Sequence, residues 1–145
     1  MATLFMETTR IAPERTVSEI QQVLARNEAR AVLLEYEGCQ IAAVSFQYVV
    51  GDQTIPFRLP CRWQAMEGVL RQSGKRPRYG DTFETWARRV AWRQILRWVE
   101  AQMALVETSM VKVQEVFFPY IQTRTGQTLY ELQEKKGLLA LGSGK

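Results

Sequence analysis

The sequence contains no histidine and only two cysteines in 145 residues. Without an imidazole, every Ser-His-Asp or Cys-His catalyst and every His-ligated metal site is excluded. Cys39 and Cys61 lack the CxxC spacing of zinc and redox sites, and no secretion signal accompanies them. Both are expected to be reduced, half-buried thiols. Met1 to Arg10 includes Glu7 and has no apolar core of signal-peptide length, and nowhere do 18 apolar residues run together. The expectation is a cytoplasmic protein with no membrane partner. Internal repeats, low-complexity segments and long linkers are also missing. One domain over residues 1–137 is expected, with 138–145 as a flexible tail.

What is present is an average globular composition, 46% hydrophobic and 23% charged, with an uneven distribution of charge. Between Arg58 and Arg97 ten cations face three acids, so that stretch carries +7 and the remainder of the chain −3. A local excess of this kind suits a phosphate-bearing partner, because each neutralised phosphate releases condensed counterions. The competing reading is a solvated basic surface.

Periodicity orders the elements. Thr3–Thr9 reads as a weak strand. Thr16-Val-Ser-Glu19 has the form of a capping box, and Val17, Ile20, Val23 and Leu24 continue at helical spacing to about Ala29. Three alternating runs follow, Ala31–Glu37, Gln40–Val50 and Thr54–Arg62, separated by Gly38 and Gly51. Short turns make the meander antiparallel, and the prolines at 56 and 60 make its last strand an edge. Trp63–Gln72 reads as a short helix and residues 73–80 as a loop. Asp81 or Thr82 caps a helix of about 28 residues, roughly 42 Å long, that runs to Ser109. Val113–Ile121 reads as a short helix ended by Pro119, with a strand as the alternative, and a second capping box, Thr128-Leu-Tyr-Glu131, completes the pattern.

The predicted fold is therefore α+β: a small antiparallel sheet packed on an N-terminal helix and one long Arg/Trp-rich helix, with short C-terminal helices. The sheet has three strands, or four if Thr3–Thr9 joins it. The long helix is apolar over far more than the ~100° that one sheet contact needs. Self-association through that helix, giving a homo-oligomer, is the expectation.

Four constellations bear on function. Arg89, Arg93 and Arg97 stand in one row about 6 Å apart, a spacing suited to successive phosphates, with Trp92 near enough to stack on a base. Lys75-Arg76-Pro77-Arg78-Tyr79 is a basic, aromatic loop between glycines, without the GxxxxGK[ST] order of a phosphate loop. Arg58 and Arg62 mark the outer face of the third strand, beside Ser45 and Gln47, and open polar sheets serve as nucleic-acid platforms. Glu35 and Glu37 share a strand face, but without a histidine partner they read as surface charges. No catalytic residue, metal site or cofactor is assigned, and no enzyme activity is expected.

The run from Arg89 to Glu107, with Val116-Phe-Phe-Pro-Tyr120, Thr128-Leu-Tyr-Glu131, Ile55-Pro-Phe-Arg-Leu-Pro60 and Thr16-Val-Ser-Glu-Ile20, resembles a family of small proteins of bacterial and phage-type mobile genomes. That family has no established activity, so the resemblance implies a mobile-element setting and no site residues. The helix–three strands–long helix order is also similar to the core of phage single-strand annealing proteins and of double-stranded-RNA-binding domains, a likeness of topology alone.

The leading functional expectation is a non-enzymatic nucleic-acid-binding protein of phage-type DNA metabolism that takes single-stranded nucleic acid with little sequence preference. Arg58, Arg62, Lys75, Arg76, Arg78, Arg89, Arg93 and Arg97 would contact phosphates, with Tyr79 and Trp92 stacking. The alternatives are an oligomeric binder of a small signalling nucleotide that counters host defence, and a partner-binding inhibitor or assembly factor.

Overall fold

The computed structural model describes residues 3–137; the expected tail at 138–145 lies outside them. The element order is α1 (Pro13–Arg26), β1 (Ala31–Glu37), β2 (Gln40–Val50), β3 (Gln53–Pro60), α2 (Trp63–Gln72), α3 (Phe83–Glu107), α4 (Val113–Val116) and α5 (Leu129–Lys135). A 3-10 turn over Phe118–Tyr120 follows α4 and contains Pro119. The sheet is antiparallel in the order β1-β2-β3. The α+β architecture, with its N-terminal helix and long helix, is as expected.

Alternation sets the two faces of the sheet. Val44, Phe46 and Tyr48 of β2 and Phe57 and Leu59 of β3 are buried against the helices. A bulge between Glu35 and Tyr36 leaves Ala42 of β2 without a partner. The extra residue resets the alternation, so Ile41 also joins the core. Aromatic rings interlock at the centre: Phe46 stacks on Phe57 at 5.1 Å, and Phe117 meets Phe46 edge-on at 5.5 Å. Trp98 in turn meets Phe117 edge-on at 5.3 Å.

Thr3–Thr9 forms no strand. It makes consecutive turns, with Met6 in the left-handed region at φ 65°. The Thr16–Glu19 capping box does not form either. Pro13 occupies the first turn, where its fixed φ and missing N–H suit a helix start, and α1 therefore begins one turn early. Thr16 and Glu19 are left inside the helix with side chains free for other work. At the other end of the chain the expected box does form. Thr128 Oγ1 accepts from the Glu131 amide at 3.1 Å, and Glu131 Oε1 accepts from the Thr128 amide at 2.9 Å.

The long helix is the central element of this chain. α1 packs along one side, α2 along another, and Trp92, Leu96, Val99 and Met103 enter the same core as the sheet residues. Much of its wide apolar surface is covered within one chain, while Ile95 and Trp98 line an open groove. The three-stranded sheet is indeed too small for the task; α1 and α2 supply much of the missing cover. Neither cysteine is half-buried. Cys39 is exposed in the β1–β2 turn, whereas Cys61 is buried and free, its thiol pushed up to about 12 by desolvation.

Candidate nucleic-acid interface

Folding redistributes the +7 excess. Eight of the ten cations between Arg58 and Arg97 lie within ion-pair distance of a carboxylate: Arg58 of Glu35, Arg62 of Glu131, Arg71 of Glu67, Lys75 of Glu7, Arg88 of Glu84, Arg89 of Asp81, Arg93 of Glu19 and Arg97 of Glu100. Five of those acids come from outside the basic stretch, so the asymmetry along the sequence is largely cancelled in space. Arg76 and Arg78 are the two without an acidic partner among the described residues.

The arginine row does not present itself as a row. Arg89 turns back to Asp81 with two hydrogen bonds of 2.7 and 3.1 Å. Arg93 is only 4% exposed; α1 lies over it, and its Nη1 donates to Glu19 at 2.7 Å and to Thr16 Oγ1 at 3.3 Å. Arg97 stays near the surface and donates to Glu100 at 2.7 Å. The polar stripe of α3 is thus in part the seat of α1. Trp92 is 1% exposed and belongs to the core, which removes it as a base-stacking side chain. The other indoles on these helices are engaged too: Trp63 lies under the Arg88 guanidinium at 4.2 Å, and Trp86 donates to the Glu7 carbonyl at 2.9 Å.

On the outer face of the sheet Arg58 is spent on Glu35. Arg58 of β3 reaches across β2 to Glu35 of β1, donating at 3.0 and 3.2 Å, and Ser45 between them donates to the same carboxylate at 2.9 Å. Hydrogen bonds from Arg58, then from Ser45, hold the Glu35 carboxyl below its ordinary range against the cost of burial. Arg62 is half-exposed and sits at the rim of an apolar groove of about 380 Å³ with Met66, Ile95, Trp98 and Tyr120. Neither cation adjoins the basic loop.

That loop is where the remaining charge collects. Ser73 Oγ donates to the Leu70 carbonyl at 2.6 Å and accepts from the Lys75 amide at 3.2 Å, closing α2. Gly74 at φ 80° and Gly80 at φ 88° then turn the chain at either end of the loop, positions that a Cβ would strain. The N-terminal segment folds back and holds the loop. Lys75 pairs with Glu7 at 2.7 Å, and Arg78 donates to the Thr8 carbonyl at 3.1 Å. Arg76, Arg78 and Tyr79 remain exposed, Tyr79 fully so at 107% of its reference area. A depression of about 500 Å³ between loop and helix is lined by Arg10, Arg78, Tyr79, Asp81 and Arg89. Lys75, Arg76, Arg78, Tyr79 and Arg89 are therefore brought together; Arg58, Arg62, Arg93 and Arg97 are not. Arg10 was missed by the sequence reading. It lies 66 residues before Arg76, and no local pattern announces that the N-terminal segment returns to the loop.

The carboxylates that hold these cations have depressed pKa values. Hydrogen bonding to Arg89 lowers Asp81, and hydrogen bonding to Lys75 lowers Glu7. A depressed carboxylate stabilises the fold above its unfolded value and loses that contribution as pH falls through the folded value. Melting temperature should accordingly fall below about pH 4. Glu35→Gln should flatten part of that fall, as read by thermal melts across the acid range.

Among the described residues no three His, Cys, Asp or Glu side chains converge as a metal would require, and no helix is long and apolar enough to cross a membrane. Comparison of the chain with protein-family models, curated proteins and solved structures returned no match, so no family is assigned and the reading of function rests on this site alone.

Proposed function

We propose that this protein is a non-enzymatic nucleic-acid-binding protein that takes single-stranded nucleic acid on the loop at residues 73–80. The observation that carries the reading is Tyr79, a fully exposed aromatic next to Arg78 and close to Arg76, beside a depression that Arg10 also lines. An aromatic ring without apolar cover serves as a stacking surface, and adjacent unpaired guanidinium groups neutralise the phosphates on either side. A duplex hides its base faces, so a single exposed ring favours unpaired strands. The setting proposed for it is DNA metabolism of a mobile element.

The interface is smaller than the sequence expectation. Arg76, Arg78 and Arg10 form its centre, with Lys75 and Arg89 adding charge only in exchange for Glu7 and Asp81. Three phosphates neutralised on a single strand correspond to a slope of about −2 in log affinity against log salt. Fluorescence anisotropy with a labelled mixed-sequence single strand should show that slope and a preference over the matching duplex. Tyr79→Ala should weaken binding by about tenfold, with stability unchanged. Absence of binding at low salt, or binding indifferent to Tyr79→Ala and Arg76→Ala/Arg78→Ala, overturns the proposal. Saturation by one mononucleotide per chain with no affinity for longer strands would replace it with nucleotide capture.

A further inference from the structure

We propose that a second copy of this chain pairs antiparallel with β1, joining two three-stranded sheets into one sheet of six. This pairing uses none of the residues assigned to nucleic-acid binding.

The two edges of the sheet are treated differently. Beyond β3, Ile121 bridges to Phe57, and the Gln122 amide donates to the Pro56 carbonyl at 2.8 Å, so later chain covers part of that edge. Beyond β1, no strand pairs among the described residues. An open edge presents unpaired amide and carbonyl groups, and proteins blunt such edges with lysine, proline or inward-pointing charge. Ala31–Glu37 contains neither lysine nor proline. Glu35 is drawn over the outer face by Arg58 and leaves the edge itself undefended. The bulge lies between Glu35 and Tyr36, so the strand ahead of it, from Ala31 to Glu35, is regular.

Side chains around this edge are apolar and open. Leu33 is 64% exposed and Tyr36 60%. The charges at its ends select the partner. Arg30 precedes the strand and Glu37 ends it; both are exposed, and neither has an ion-pair partner among the described residues. Antiparallel pairing with an identical strand lays the Arg30 end of each copy beside the Glu37 end of the other, twice across one two-fold axis. A parallel copy would instead set like charges together. The strand is thus complementary to its own reverse, as an isologous interface requires. The contact is short, which places it among small, reversible interfaces.

Sedimentation velocity from about 1 µM to about 200 µM, the range in which such interfaces dissociate, tests the proposal. The full chain should pass from monomer to dimer across that range. Arg30→Glu and Glu37→Arg should each weaken the dimer about fivefold, and the doubly exchanged chain should return to within about twofold of the original. Leu33→Lys should abolish association, with circular dichroism showing the fold intact. A chain that stays monomeric throughout overturns the proposal. So does a dimer indifferent to these substitutions, or a double exchange as weak as either single one.

Discussion

Trp92→Ala is expected to cost about 4 kcal/mol of folding stability, the largest effect of any single substitution considered. The indole is 1% exposed at the centre of α3 and packs in the cluster that includes Leu96, Phe46 and Phe57. Removing it opens a cavity that the surrounding β-sheet and helices can close only in part. Denaturant titration reads the loss as a lower midpoint with an unchanged slope. Trp92→Phe retains most of the apolar contact and should lose less, leaving a folded chain in which binding can be measured. That chain should bind single strands as the original does. Tyr79→Ala should show the reverse pattern, weakened binding without lost stability. Were Trp92→Phe to lose binding at full stability, the placing of Trp92 in the core rather than the interface would be wrong.

Glu19→Ala is the second large effect, with an expected cost of about 3 kcal/mol. Arg93 carries its charge beneath α1, and Glu19 is the one carboxylate within reach of it among the described residues. Among the described residues its Nε is already buried without a partner, so little else can compensate. Glu19 is itself 37% exposed, which admits some water and keeps the cost at the low end for breaking a buried pair. For a chain of this size the melting temperature should fall by roughly 6–12 °C. Glu19→Ala/Arg93→Met should recover much of that fall, because a buried apolar side chain replaces an uncompensated charge. A change in Glu19→Ala within about 0.5 kcal/mol would show instead that the pair behaves as a solvated surface bridge.

This pair marks where sequence reasoning stops. Arg93 at i+4 from Arg89 and i−4 from Arg97 has the spacing of a solvent-facing cationic row. Glu19, three residues after Thr16, has the spacing of a capping box. Both are local rules, correctly applied, and both give way to one contact between residues 74 apart in the chain. Pro13 settles the capping box by starting α1 early; the arginine row is settled by where α1 comes to rest. The same holds for Arg10 and the loop, which meet only because the N-terminal segment returns through Glu7 and Thr8.

Features that depend on neighbours within a few residues are legible in the chain before it folds. The order of elements from α1 to α3, the boundaries of β1 and α2, the Thr128 cap, the antiparallel meander and the core faces of β2 and β3 follow from alternation, helical period and turn chemistry, which are short-range properties of the chain. Tertiary structure alone decided which charges are free. Coulombic pairing depends on distance in space, and the acids that neutralise the basic stretch arrive from Glu7, Glu19, Glu35, Glu100 and Glu131. Whether Trp92 is core or surface was decided in the same way, because α3 is apolar on several sides and only the packing of α1, α2 and the sheet determines which of them face water.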